Sequence, residues 1–322
     1  MFEIWFRWRI MSEIIEKFKS ELKKIDIAKM TSEMVKIQSY SHKENQEKEI
    51  GEYIYKIFQN EKIDSQLIEI KPGRYNVVAT IKGTGIGKSL MLSGHMDTVP
   101  PYDMEDPFSG AIVDGKILGR GSVDMKGPLA AMISAVIAIK RSGVKLNGDL
   151  IFSGLADEEE QGSGVKFLIQ NGPIADSTIM GEPTNMKIAI GHKGLEWIKI
   201  LIKGKKVHGG DRENGINAVE MAARFINKIY TEYIPVLNSR KYPFLGEPTI
   251  NIGKIQGGDQ PSTFPGECTI LLDRRCVPTE TISQVYDELN QIVKKLHSED
   301  LKFEAEIHEM FENGEMLDHI PF

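Results

Sequence analysis

Four short segments of this chain place carboxylate or imidazole side chains at the end of a stretch patterned as a β-strand. They are Ser93-Gly94-His95-Met96-Asp97, Gly121-Ser122-Val123-Asp124-Met125-Lys126-Gly127, Ala156-Asp157-Glu158-Glu159-Glu160 and Gly181-Glu182-Pro183. In open α/β sheets ligands bind outside the carboxyl ends of the strands, so we expect these side chains to meet there. Carboxylates gathered at one point repel one another unless a cation holds them. One imidazole with several carboxylates suits zinc, cobalt or manganese better than calcium.

Each segment taken alone has a simpler explanation. His95 could be a histidine satisfied by a hydrogen bond, 157–160 a solvated acidic turn, and 181–183 an ordinary loop. Their joint occurrence, each at a strand end, favours a single site. Hydrolysis without a metal would need a serine or cysteine nucleophile, and the segment 162–164 lacks the Gly-x-Ser-x-Gly spacing of a nucleophile elbow.

The pattern of apolar residues predicts the elements that would position these side chains. Helices are predicted over 12–29, 44–60 and 127–142, and strands over 75–82, 89–94, 149–155 and 177–181. This alternation favours an α/β domain with a mostly parallel sheet flanked by helices. The glycine-rich segment 83–87 is predicted to be a hairpin turn, because Lys82 stands where a phosphate loop requires its first glycine.

After about residue 188 the pattern changes to that of a second domain. The predicted order is strand 195–203, helix 217–234, strand 249–256, strand 267–275, helix 280–298 and strand 302–309. This βαββαβ order is that of a ferredoxin-like domain.

Composition restricts the partners and the compartment. Forty basic and 46 acidic residues give a net charge of −6, so no basic surplus exists to bind a nucleic-acid backbone. No uncharged apolar run approaches the roughly 18 residues of a membrane span. Cys268 and Cys276 lie in one predicted strand, about 26 Å apart at ~3.3 Å per residue, too far for a disulfide. A reduced, cytoplasmic chain is the simplest interpretation.

The strings SGHMDTVP and GRGSVDMKGP resemble those of a family of dinuclear zinc aminoacylases and peptidases. The family includes acetylornithine deacetylase, succinyl-diaminopimelate desuccinylase and glutamate carboxypeptidase, and the resemblance runs from about residue 12 to 310. It implies a homodimer that hydrolyses the amide bond of an N-acyl amino acid or small peptide. It also implies two Zn²⁺ ions per subunit, with Co²⁺ or Mn²⁺ as alternatives.

The resemblance also implies a domain organisation. Residues 11–190 would form the catalytic domain and 191–309 an inserted ferredoxin-like lid and dimerisation domain, with 310–322 beginning a further catalytic part. Residues 1–10 are expected to be an extension with no role in the fold.

Carried over residue by residue, the resemblance implies four metal ligands: His95, Asp124, Glu159 and Glu182. Asp124 would bridge both metals, and Asp97 would orient His95. Glu158 would be the general base. Adjacent residues in extended backbone point to opposite sides, which allows Glu158 and Glu159 to have different roles.

Three residues of the second domain are implied as well. His208 would reach the active site of the other subunit and stabilise the oxyanion, although it could be an ordinary surface histidine. Arg275 would bind a substrate carboxylate, unless it only forms an ion pair with Asp273. Asn251 is a weaker candidate for substrate contact.

The C-terminus departs from the family pattern. The family's last metal ligand is a histidine in a segment after the lid, and neither His308 nor His319 has its glycine-rich context. We therefore expect a truncated chain, exposed apolar surface, and a second metal held only by Asp124 and Glu159. The chain could be an active amidohydrolase, with a di-, tripeptidase or carboxypeptidase as the alternative. It could also be an inactive remnant that dimerises or binds ligand without turnover, or an incomplete or frame-shifted version of an active enzyme.

Overall fold

A computed structural model describes residues 2–310, with side chains from Ser12 onward. The chain divides into two units, with the boundary between Lys187 and Ile188. The helices of the first unit are α1 (Phe2–Leu22), α2 (Ile27–Lys36), α3 (Lys48–Asn60), α4 (Gly127–Ser142) and α5 (Ser163–Asn171). Its strands are β1 (Asp64–Lys71), β2 (Arg74–Ile81), β3 (Leu90–His95), β4 (Ile112–Val113), β5 (Lys116–Ile117), β6 (Leu150–Leu155) and β7 (Ser177–Met180).

The main sheet of the first unit has the order β1-β2-β6-β3-β7. Its β6-β3-β7 half is parallel, and its β1-β2-β6 half is antiparallel. The α/β class predicted from the sequence is confirmed. The sheet is mixed rather than mostly parallel because β2 runs antiparallel to both of its neighbours, β6 and the unpredicted strand β1.

The connection 83–87 is not the predicted hairpin turn, because β6 lies between β2 and β3 in the sheet. Its amides bind the loop that precedes β6. Thr84 N donates to Leu146 O at 2.9 Å, and Ile86 N donates to Asn147 O at 3.0 Å. The residues of a turn do not reveal that a strand more than 60 positions later will enter the sheet beside it.

The predicted helix 12–29 is two helices in the structure. Asp26 ends the connection between them, since its carboxylate accepts a hydrogen bond from Lys29 N at 2.9 Å and caps α2. Helix α1 begins at Phe2, so the backbone of residues 2–10 forms the first part of this helix.

Helix α4 supplies much of the first unit's core. Leu129, Ile133 and Val136 are fully buried in one cluster with Phe58 and Phe152. The segment Ser122–Ser142 has the length and hydropathy of a membrane span, and 56% of its most apolar window is buried inside the structure. In this fold it packs as a core helix.

The second unit contains two layers. Its elements are β8 (Gly194–Lys203), α6 (Ala218–Lys228), α7 (Ile234–Asn238), β9 (Thr249–Gly257), β10 (Glu267–Cys276), α8 (Ile282–Glu299) and β11 (Glu304–Glu309). A wider helical turn, Ile229–Tyr233, joins α6 to α7. The sheet is antiparallel with the order β11-β8-β10-β9, which confirms the predicted ferredoxin-like arrangement.

Strand β7 ends the main sheet with exposed apolar side chains. All four of its residues are exposed, and Ile179 and Met180 each keep about half of their surface in solvent. An exposed apolar edge strand can pair with the edge of another chain.

We expect Ile179→Lys to slow aggregation of the concentrated protein severalfold, because a charged side chain on an edge strand opposes pairing with a second edge. Light scattering during heating measures the rate. The control is Ile86→Lys, which changes an isolated isoleucine that is 84% exposed. Equal effects of the two substitutions would mean that net charge, rather than the edge of β7, controls aggregation.

Candidate metal centre

The parallel half of the main sheet brings three of the four segments to one edge. His95 is the last residue of β3, Glu158 and Glu159 follow β6, and Glu182 follows β7. Because the carboxyl ends of parallel strands lie at the same edge, these side chains converge. Asp124 arrives in a tight turn, Ser122–Lys126, that leads into α4, and its peptide bond to Met125 is cis.

The Nε2 atom of His95 lies at the centre of this cluster. It is 3.0 Å from Asp124 Oδ1, 3.8 Å from Glu158 Oε2 and 3.9 Å from Glu182 Oε1. One ligand atom from each of His95, Asp124 and Glu159 lies within 4.8 Å of the others. The structure thus brings together the five residues that the sequence analysis grouped around the metals.

The imidazole of His95 is buried and held from behind. Its Nδ1 atom is 2.9 Å from the backbone oxygen of Asp97 and 3.6 Å from the carboxylate of the same residue. The Asp97 carboxylate instead accepts hydrogen bonds from Glu158 N at 3.2 Å and Glu159 N at 3.1 Å. Asp97 therefore contacts both halves of the cluster, the histidine through its backbone and the glutamates through its side chain.

The crowded carboxylates change the protonation of the cluster. Burial lowers the pKa of His95, but Asp124, Asp97 and Glu158 outweigh it and raise that pKa to about 11. Burial raises the pKa of Glu159 to about 7, with nearby carboxylates adding to the effect and His95 opposing it. Burial and neighbouring carboxylates also raise the pKa of Glu182. Such a negative cluster favours a cation.

The donor set fits a divalent transition metal. It combines one imidazole nitrogen with several carboxylate oxygens that converge on one point, which is ligand chemistry that zinc, cobalt and manganese accept. His95 Nε2 faces the cluster while its Nδ1 faces a carbonyl oxygen, the arrangement that orients a metal-ligating histidine. His95, Asp124, Glu159 and Glu182 are the residues that could hold metal.

The three predicted residues of the second unit are exposed. His208 lies in a turn where its Nδ1 accepts a hydrogen bond from Gly210 N at 3.2 Å. Arg275 forms the ion pair considered as an alternative, since its Nε and Nη2 contact Asp273 at 2.8 and 3.0 Å. Asn251 is the cross-strand neighbour of Asp273, so it lies on the same sheet face as Arg275.

Two further histidines, His308 and His319, lie near the C-terminus of the chain. His308 lies on β11, with its Nε2 atom 3.4 Å from the carboxylate of Glu306. His319 and the segment 311–322 lie outside the described residues.

Sequence analysis missed a group of residues packed beneath Glu158 and Glu159: Glu47, Arg74, Asn76 and Asp157. Asp157 belongs to the segment that could have been a solvated acidic turn, but it is buried and paired with Arg74 at 3.1 Å. One signal was present, because Asn76 interrupts the apolar pattern of β2 and is fully buried. Buried polar residues in strands require hydrogen-bond partners.

A histidine and carboxylates gathered at the carboxyl edge of an α/β sheet, together with a match to a family of metal-dependent hydrolases, place the protein in that class. The sequence profile of peptidase family M20/M25/M40 matches residues 91–313, and the chain belongs to this family.

Relatives within the curated proteins agree with this assignment. The chain is 30% identical over 297 residues to a probable succinyl-diaminopimelate desuccinylase of Staphylococcus epidermidis, covering 84% of this chain and 72% of the relative. It is 35% identical over 236 residues to acetylornithine deacetylase of Proteus mirabilis, covering 70% of this chain and 60% of the relative. An M20 metallo-carboxypeptidase from Sulfolobus solfataricus has a similar fold, with a TM-score of 0.71, 21% identity, and coverage of 88% of this chain and 78% of that one.

The pKa values make metal binding depend on pH. At pH 7 the imidazole of His95, with a pKa of about 11, carries a proton, and Glu159, with a pKa of about 7, is close to half protonated. A divalent cation needs both groups deprotonated, so its binding releases protons and its affinity rises with pH.

We therefore expect about one to two protons released per site when Zn²⁺ binds at pH 7, and an affinity gain of about tenfold or more from pH 6 to pH 7. Calorimetric titration in two buffers of different ionisation enthalpy counts the protons. Binding without proton release would contradict the assignment of His95 as a ligand.

Proposed function

We propose that this chain is a metal-dependent amidohydrolase that cleaves the amide bond of an N-acyl amino acid or small peptide. The observation that supports it best is the convergence of His95, Asp124 and Glu159 within 4.8 Å, with Glu158 beside them. Two relatives at 30% and 35% identity carry the names of a desuccinylase and a deacetylase, which favours N-acyl amino acids over peptides as substrates.

The proposed metal is zinc, with cobalt or manganese as alternatives, and the proposed number is two per subunit. His95 and Glu182 would hold the first ion, Glu159 the second, and Asp124 would bridge them. When bound, the metals polarise the amide carbonyl and lower the pKa of a water molecule.

Glu158 is the proposed general base. Its side chain is half exposed, so a substrate can reach it, and its Oε2 atom lies 3.8 Å from His95 Nε2. The carboxylate would take the proton of the attacking water and later give it to the leaving amine. Asp97 would hold Glu158 in place, because its carboxylate accepts a hydrogen bond from the backbone amide of Glu158.

The second unit would contribute substrate contacts and a homodimer interface. His208 of the partner subunit would stabilise the oxyanion. Asp273 binds the Nε and Nη2 side of Arg275, which leaves the Nη1 group for a substrate carboxylate. Asn251, on the same face, would contact the substrate beside it. A small-molecule substrate and a cytoplasmic location complete the proposal.

The count of metals tests whether this chain turns substrate over. Among residues 2–310, the second metal would have Asp124 and Glu159 as protein ligands, whereas a catalytic zinc normally has three. Close to two zinc ions per chain after dialysis would support an active site. One or none would favour the alternative of a chain that dimerises or binds ligand without turnover.

Two substitutions separate metal binding from chemistry. We expect Asp124→Ala to abolish tight binding of both metals, because it removes the bridging carboxylate. Glu158→Gln should retain the metals and lower turnover of N-acetyl and N-succinyl amino acids by at least about a hundredfold, the lower end of general-base contributions. Elemental analysis and an amine-release assay measure the two effects.

Glu160→Gln is the matched control for Glu158→Gln. Glu160 lies two residues further along the same turn and faces His42 at 3.4 Å. We expect this variant to keep both metal content and turnover. Unchanged metal content in Asp124→Ala, or full activity in Glu158→Gln, would show that the proposed roles are wrong.

A further inference from the structure

The turn that carries Glu158 and Glu159, here called the catalytic turn (residues 156–160), is held by side chains from three other parts of the first unit. Four successive backbone amides of the turn each donate to a side-chain oxygen. The pairs are Ala156 N to Asn76 Oδ1 (3.0 Å), Asp157 N to Glu47 Oε1 (3.2 Å), Glu158 N to Asp97 Oδ1 (3.2 Å) and Glu159 N to Asp97 Oδ2 (3.1 Å). These four hydrogen bonds hold the turn from outside, through side chains and not through a helix or strand ladder.

Glu47 and Arg74 form the base of this arrangement. Arg74 Nε contacts Glu47 Oε2 at 2.5 Å, and its Nη2 contacts Glu47 Oε1 at 2.6 Å and Asp157 Oδ1 at 3.1 Å. Both carboxylates are buried, with 0% of Glu47 and 2% of Asp157 exposed. One guanidinium therefore neutralises part of the charge of two buried carboxylates while its planar fork defines their positions.

The backbone of the catalytic turn needs such support. Asp157 has a φ of +64°, which is unfavourable for a residue with a side chain. Its carboxylate accepts hydrogen bonds from the amide and the hydroxyl of Ser163 at the start of α5. The conformation that separates Glu158 from Glu159 is thus maintained by the partners of Asp157.

Asn76 joins the two ends of the segment that contains the turn. Its Oδ1 accepts from Ala156 N, and its Nδ2 donates to Gly164 O at 2.8 Å. A Cβ atom on Gly164 would lie 2.3 Å from Ala156 O, so the backbones of Gly164 and Ala156 are in direct contact. The catalytic turn has little room to shift.

We propose that Glu47 and Arg74 are positioning residues for the general base and for the metal ligand on the catalytic turn. The inference rests on the proposed function, because it assigns a purpose to the geometry of Glu158 and Glu159. A buried ion pair often adds little to the stability of a protein, because replacing both partners with apolar residues is often neutral. A role in positioning the turn therefore accounts better for the pair of Glu47 and Arg74. Residues that support metal ligands from behind typically change metal affinity by about 10- to 100-fold when substituted.

Arg74→Lys is the variant that tests this role, because it keeps the positive charge and loses the planar fork. Arg141→Lys is the matched control. Arg141 forms an equivalent bidentate pair with Glu61 in the same unit, with Nε–Oε2 at 2.9 Å and Nη2–Oε1 at 2.5 Å. That pair joins α4 to the end of α3 and contacts no residue of the catalytic turn.

Two readouts are measured on both variants, together with the melting temperature. We expect Arg74→Lys to speed hydrogen exchange in a peptide covering 155–161 by about tenfold or more, with exchange in α4 unchanged. We expect the same variant to weaken Zn²⁺ binding about tenfold, the lower end of the range for direct partners of metal ligands, because Arg74 acts on Glu159 through Glu47 and Asp157. Arg141→Lys should change neither quantity more than about twofold.

The outcomes distinguish this inference from the proposed function. Unchanged exchange at 155–161 in Arg74→Lys would overturn the positioning role, as would faster exchange throughout the first unit. Wild-type protein that binds no Zn²⁺ would overturn the proposed function, while the exchange measurement would still decide whether Arg74 holds the turn. If Arg74→Lys does not fold, Glu47→Gln replaces it, since the amide keeps an oxygen for Asp157 N and loses the pair of acceptors for Arg74.

Discussion

The repulsion between carboxylates is the constraint on which this structure depends. Asp97, Asp124, Glu158, Glu159 and Glu182 surround one imidazole at the end of the sheet. Burial raises the pKa values of Glu159 and Glu182, and the neighbouring carboxylates add to this effect. A metal cation placed among them would offset the repulsion between their charges.

The surrounding fold keeps the carboxylates from moving apart. Three parallel strands deliver His95, the catalytic turn and Glu182 to one edge, and α4 anchors the Asp124 turn through its buried face. Behind the cluster, the carboxylate of Asp97 accepts hydrogen bonds from two backbone amides of the catalytic turn, and that of Glu47 accepts one from a third. These hydrogen bonds from backbone amides fix the positions of the two carboxylates behind the cluster.

The arrangement also explains why adjacent glutamates can have different roles. Glu158 is half exposed, whereas Glu159 is more enclosed and shares a 4.8 Å cluster with His95 and Asp124. The positive φ of Asp157 precedes the pair and sets the direction in which each side chain leaves the backbone. A solvated acidic turn, the simpler explanation of this segment, would not have its first carboxylate buried against an arginine.

The sequence alone determined the class of the fold, the ferredoxin-like second unit and the metal-binding character of the site, because each leaves a local signature. Apolar periodicity shows where strands end, and short motifs place His95 at the end of one strand and Glu182 directly after another. Tertiary structure decided what depends on distant partners. It inserted β6 between β2 and β3, joined Glu47 and Arg74 to Asp157, and bound one side of Arg275 to Asp273. Strand order and buried ion pairs follow from contacts between residues far apart in the chain. A local sequence pattern does not specify which distant residue will form such a contact.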